Sequence, residues 1–200
     1  MKILIIGGYG TIGKSLADHF EQDHKVLVAG RTKGDIRVDI ANSKSIQALF
    51  DKIGKVDAII CAAGEAKWES FDRLSEEDYY IGFKSKLMGQ VNLVRIGQHY
   101  LSANGSITLT TGILADDPVI KTASAAMVNG AIHSFVKAVV LEIGNTCRIN
   151  VVSAGMVEAA YEKYKDYFTG HNPVSMKKVV KGYERSVLGR DKGKIIRIYE

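Results

Sequence analysis

Proline and cysteine are scarce: the 200 residues include 2 Pro, 2 Cys and 1 Trp. With 20 Gly against so few prolines, glycine does most of the chain's punctuation. The two thiols, Cys61 and Cys147, are both placed in predicted strands. They are read as buried, reduced cysteines rather than a disulfide. No stretch approaches the roughly 18 uninterrupted apolar residues that a membrane span needs. The N-terminal run Met1-Lys2-Ile3-Leu4-Ile5-Ile6 passes straight into a Gly-rich turn, without the longer apolar region and cleavage site of a signal peptide. A cytoplasmic protein without a membrane partner is expected. No spacing of His, Cys, Asp or Glu suggests a metal site. The net charge of +5 gathers mildly over 177–197, but acids interrupt the run and no aromatic surface accompanies it. A solvated helix face is expected there, not a nucleic-acid patch.

Hydrophobic residues make up 46% of the chain and charged residues 24%, ordinary for a globular domain. The length suits one α/β domain over 1–200. Strands are predicted at Lys2–Ile6, His24–Ala29, Val56–Ala62, Ser106–Thr110, Arg148–Ser153 and Lys194–Tyr199. Helices are predicted at Ile12–Phe20, Ser43–Ile53, Ser124–Ile143, near Val157–Phe168 and over Ser175–Leu188. A further helix, capped by Ser75 with Glu76, Glu77 and Asp78 in its first turn, runs to about Tyr100 with a break near Gly82. Strands alternating with helices predict a doubly wound parallel sheet of about seven strands, helices on both faces, and ligands at the strands' carboxyl ends.

Gly7-Gly8-Tyr9-Gly10-Thr11-Ile12-Gly13 lies between the first strand and first helix. Glycine lets backbone approach a pyrophosphate closely, and the helix N-terminus supplies free N–H donors. At the end of the second strand an acid usually receives the ribose 2′-OH of NAD. Here the position carries Arg31, then Thr32 and Lys33. A guanidinium pairs with a 2′-phosphate, so NADP(H) is expected over NAD(H). Val38-Asp39-Ile40 follows the third-strand position. Cys61-Ala62-Ala63-Gly64 ends a central strand with residues small enough for a flat ring to lie against.

Together with Gly105-Ser106-Ile107 and Ile149-Asn150-Val151-Val152-Ser153-Ala154-Gly155, these segments stand in an order and spacing that resembles the short-chain dehydrogenase/reductase family along essentially the whole chain. Each segment alone is a weak signal; the set is specific. The resemblance implies a seven-stranded Rossmann sheet. It places Asp39 and Ile40 at the adenine, Ala62, Ala63 and Gly64 by the adenosine, and Thr110 beside the cofactor. It also implies a turn by the nicotinamide formed by Ala154, Gly155, Met156 and Val157, with Ala154 replacing the usual Pro. A homodimer or homotetramer built on helices 75–100 and 122–144 is expected from the same resemblance.

The family's chemistry uses Asn, Ser, Tyr and Lys, and here the pattern breaks. No Tyr-x-x-x-Lys occurs at the start of the long helix predicted over Ser124–Ile143, where the family carries it. Alignment on Ala126–Gly130 puts Lys121 at the Tyr position and Ala125 at the Lys position. Lys86 stands at the Asn position. The Ser position falls at Thr111 or Gly112. Thr111, Lys121 and Lys86 are therefore the candidate catalytic residues. Two readings stay open. One is an NADP(H)-dependent oxidoreductase acting on a small carbonyl or alcohol substrate with a rearranged proton donor, in which a lysine of depressed pKa would serve as acid. The other is a catalytically silent NADP(H)-binding sensor or scaffold. Glu158–His171, rich in Tyr and Lys, is either a lid recognising an anionic or aromatic carbonyl compound or a solvated amphipathic helix. His133 is expected in the core or an interface.

Overall fold

The apolar run at the N-terminus becomes β1 (Lys2–Ile6), in which Ile3 to Ile6 are all but fully buried. Such a strand needs cover on both faces, and it lies at the middle of the molecule. β2 (Lys25–Gly30) pairs with it on one side and β4 (Val56–Cys61) on the other. With β3 (Ile36–Arg37), β5 (Leu101–Gly112), β6 (Arg148–Ala154) and β7 (Ile195–Ile198), the order is β3-β2-β1-β4-β5-β6-β7, and all pairings are parallel. The chain reverses direction across the sheet between β1 and β4, which makes that gap the switch point. The computed structural model describes residues 1–199.

Strand side chains alternate between two cores. On one face Leu4, Ile6, Ile59, Ile107 and Leu109 meet α2 (Ser43–Ile53), α4 (Met88–Gly97) and α5 (Ala123–Glu142) through Phe50, Leu93, Ile132 and Val136. On the other, Ile3, Ile5, Ile60 and Val152 meet α1 (Thr11–Phe20) and α7 (Met176–Leu188) through Leu16, Phe20, Val179 and Tyr183. A smaller cluster of Ile113, Leu114, Ala125, Met156 and Phe168 sits beyond the strand ends, against Trp68, Tyr164 and Tyr167.

The helix expected over 75–100 is segmented. Ser75 and Asp78 form a reciprocal cap for α3 (Glu76–Gly82): Ser75 Oγ accepts from the Asp78 N–H at 3.2 Å, and the Asp78 carboxylate accepts from the Ser75 N–H at 3.1 Å. The break follows Gly82 as a wider, π-type turn over Phe83–Leu87, after which α4 resumes. Gly82 allows close approach, since a Cβ there would lie 3.2 Å from both Ala66 Cβ and Val128 Cγ1. Residues 157–168 form no single helix. They make two tight turns around one helical turn, α6 (Tyr161–Tyr164). Both cysteines are free and buried, though Cys147 immediately precedes β6 instead of lying within a strand.

Candidate functional site

At the switch point Gly7 turns the chain out of β1 with φ 84°. A Cβ at Gly7 would lie 2.7 Å from the Ala62 carbonyl oxygen, and one at Gly13 only 2.1 Å from that of Gly7. These glycines therefore seat α1 directly on the β1–α1 turn and press that turn against the end of β4. Gly10 caps α1 with no side-chain hydrogen bond, so Thr11, Ile12 and Gly13 begin the helix with N–H groups turned to the strand ends. That is an anion seat. Beside it opens a cleft of about 280 Å³ lined by Gly7, Gly30, Arg31, Asp39, Ile40, Ala63, Gly64 and their neighbours. A smaller adjoining hollow is walled by Tyr9, Gly10, Arg31, Thr32 and Lys33. The structure thus brings the sequence-derived adenosine and phosphate residues to one place.

Arg31 and Thr32 are exposed just past β2. The guanidinium of Arg31 stands 3.4 Å from the Glu65 carboxylate, an ion pair that arches over the end of β1 because β2 and β4 flank it. Asp39 is held in place by its own loop: its N–H donates to Ser45 Oγ at 3.0 Å, and its carboxylate accepts from the Ala41 N–H at 3.0 Å. A cradle that a Cβ at Gly7 or Gly13 would fill, opening onto a helix N-terminus, fits the pyrophosphate of a nicotinamide dinucleotide.

The other half of the site lies past β5 and β6. Thr110 faces α7. Its hydroxyl bonds Tyr183 at 2.6 Å, and its backbone N–H and C=O are both taken by the buried carboxamide of Gln90. β4 pairs with β5 only as far as Thr108, so Gln90 supplies the partners that a neighbouring strand would have given. Thr111 faces α5 and is bonded to His133 at 2.8 Å; both side chains are buried. Desolvation pushes the His133 pKa below its usual value. The turn after β6 is anchored to its surroundings: the Gly155 N–H donates to Ile198 O at 2.7 Å, and Met156 O accepts from the Val174 N–H at 2.8 Å. Ala154, Met156 and Val157 are buried there.

The two candidate lysines have different surroundings. Lys121 is exposed and precedes α5, with φ 66°. Its ammonium lies 5.9 Å from the Tyr167 ring centroid. It is outside the helix, so Lys121 and Ala125 do not share a helical face as the Tyr-x-x-x-Lys alignment supposed. Lys86 occupies the π-type turn and packs its stem under Gly64, where a Cβ would meet Lys86 Cα at 2.9 Å and Cγ at 3.0 Å. Part of the residue reaches the surface, but burial around its ammonium pushes the pKa down to about 8, only partly offset by Cys61. Sequence reasoning missed Gln90, whose one sequence signal is a polar residue on an inward helical face.

Similarity to known proteins agrees with this geometry. A family profile described as "Enoyl-(Acyl carrier protein) reductase" matches residues 11–181. The protein lin1944 from Listeria innocua has a structure with TM-score 0.97 at 42% identity, with both chains covered in full. A small-chain dehydrogenase solved in complex with NADPH gives TM-score 0.88 at 27% identity, over 99% of this chain and 96% of that one. The 2,3-dihydro-2,3-dihydroxybenzoate dehydrogenase of Escherichia coli (strain K12) is 27% identical over 133 residues, 63% of this chain and 54% of that protein, so the match spans about half of the relative's length. The cradle, the strand order and the profile match agree: the chain belongs to the short-chain dehydrogenase/reductase family.

Proposed function

We propose that this chain is an NADP(H)-dependent oxidoreductase acting on a small carbonyl or alcohol compound at an atypical catalytic site. The observation that carries the reading is the pair of hollows at the ends of β1, β2 and β4, both walled by Arg31. Gly7, Gly10 and Gly13 with the N-terminus of α1 would hold the pyrophosphate, Asp39 and Ile40 the adenine, and Arg31 with Thr32 the 2′-phosphate. The bound nucleotide would supply the hydride. A charge-assisted phosphate contact favours NADPH over NADH by roughly ten- to hundred-fold. Titrating both nucleotides against wild type and Arg31→Ala tests this: the preference should be present in the first and gone in the second. Equal affinities in wild type would sink the claim.

The substrate side is apolar and aromatic, with Trp68 5.0 Å from Tyr164 and 6.0 Å from Tyr167 (ring centroids) and Lys121 over Tyr167. A flat, anionic carbonyl compound suits those walls. Lys86 would donate the proton to the carbonyl oxygen, since at pH 7 a group titrating near 8 is about nine-tenths protonated yet still gives up its proton. One observation favours a silent NADP(H) sensor instead. Thr111 is committed to His133, Ala125 carries no amine, and Lys121 carries no phenol and stands outside α5. No turnover across a panel of quinones, aldehydes and ketones, with NADPH binding intact, would select that second reading.

A further inference from the structure

The charged residues lining the cleft at the ends of β1, β2 and β4 are Arg31, Asp39 and Glu65. Arg31 follows β2, Asp39 follows β3 and Glu65 follows β4. Asp39 is engaged by its own loop, through the Ala41 N–H. The Glu65 carboxylate has a single partner among the described residues, Arg31 Nη1 at 3.4 Å. A carboxylate on the wall of a cleft that receives phosphate carries the same sign of charge as the ligand. It also occupies the guanidinium that the phosphate needs.

The backbone beneath Glu65 is fixed. Gly64 holds φ 117°, and a Cβ there would lie 2.9 Å from Lys86 Cα. The Glu65 N–H donates to Ser85 Oγ at 3.2 Å, within the π-type turn over Phe83–Leu87. The carboxylate can therefore swing about its own side-chain bonds while the end of β4 stays in place. Its contact with Arg31 is one long bond, and 66% of the Arg31 side chain and 59% of the Glu65 side chain are exposed. Such a surface pair contributes little to stability and exchanges readily. It nevertheless gives the guanidinium a direction. β2 and β4 flank β1, so a pair that joins their ends holds Arg31 across the cleft. A phosphate group takes the fork of a guanidinium more firmly than one carboxylate oxygen does.

We propose that Glu65 is a specificity-determining residue of this cleft: its carboxylate occupies Arg31 in the free chain, gives way to the 2′-phosphate of NADPH, and repels that phosphate once it is bound. This rests on the reading in which Arg31 receives the 2′-phosphate. Glu65 lowers the preference for NADPH below what Arg31 alone would set. NADH carries a hydroxyl at that position, so it neither displaces the carboxylate nor is repelled by it.

NADPH and NADH are titrated by fluorescence, at one ionic strength, against wild type, Glu65→Gln, Glu65→Ala, Arg31→Ala and the double variant Arg31→Ala with Glu65→Gln. Glu65→Gln keeps the shape and removes the charge. It should bind NADPH about three- to tenfold more tightly than wild type, the effect that an exposed and partly screened charge supports. Its NADH affinity should stay within about twofold of wild type. Glu65→Ala should show the same pattern, which separates loss of charge from any contact made by the new carboxamide. Without Arg31, the gain from Glu65→Gln should shrink to about twofold or less, because no guanidinium remains to be contested. Unchanged NADPH affinity in Glu65→Gln overturns the inference. Equal tightening of both nucleotides also overturns it, since that places the effect at the pyrophosphate they share. A gain that survives in full without Arg31 overturns it as well, because Glu65 then does not act by competing for the guanidinium. A wild-type chain that binds neither nucleotide, or an NADPH preference that persists in Arg31→Ala, overturns the reading beneath.

Discussion

The proposed proton donor, Lys86, is a single side chain set by its surroundings. Its stem is fixed under Gly64, and its ammonium loses solvation to the protein around it. Desolvation disfavours the charged form and lowers the pKa, while the nearby Cys61 thiol, itself pushed up to about 11 by burial, does little to offset that. The acid form of Lys86 is therefore abundant below pH 8 and lost above it. Carbonyl reduction should hold a plateau near neutrality and fall about tenfold per pH unit above roughly 8. Lys86→Met should remove that limb and lower kcat about a hundred-fold. A profile that keeps its alkaline limb in Lys86→Met would point the proton elsewhere. His133 shows the opposite role for a titratable group: bonded to Thr111 and stripped of solvent, it is held neutral, so it serves packing and positioning within α5.

At the scale of elements, the contact between α1 and the β1 turn is the least forgiving. A side chain at Gly13 would run into backbone, 2.1 Å from Gly7 O and 2.8 Å from Gly8 Cα, whereas one at Gly10 meets only Gly7 O at 3.3 Å. Gly13→Val should thus abolish nucleotide binding and lower the melting temperature by the equivalent of about 1–3 kcal/mol, while Gly10→Ala should melt close to wild type. Melts and titrations run together check both, and a Gly13→Val protein that binds NADPH normally would end the cradle assignment. This region was legible in the sequence because its cause is local: an apolar run, then glycines at fixed spacing. Ser75 was legible for the same reason, its cap and the acidic first turn lying within four residues. The start of α5 was not. Thr122 precedes the helix but turns its hydroxyl to Val119 O at 2.5 Å instead of capping it, so nothing local separates Lys121 from the helix. Gln90 was equally hidden, because its partner Thr110 is 20 residues away and the need for it arises only where β4 stops pairing.

For the whole molecule, α5 poses a question of cover. It is long and apolar enough to cross a membrane by length and composition, yet it lies on the sheet with 39% of its most apolar window buried. Met127 and Leu141 on α5, and Met88 on α4, remain exposed at 42%, 84% and 43%. A second copy packed on the α4–α5 face would bury them, so a homodimer or homotetramer is the expected state. Light scattering should give a multiple of the 21.8 kDa chain mass, and Met88→Glu with Met127→Glu should shift it toward one chain. A wild-type monomer would refute that packing. The segment between Val157 and Val174 has a different relation to the body. Its two ends are joined to each other: Val157 bridges Val174, and the Glu158 N–H donates to Val174 O at 3.0 Å. Between them run Tyr164, Tyr167 and Phe168, which close over the strand ends. A loop that leaves and returns at one root is a compact closed loop. Its aromatic side chains pack on Trp68, with Tyr164 at 5.0 Å and Tyr167 at 6.0 Å between ring centroids, so those contacts, and not the paired root, tie its far end to the body of the domain.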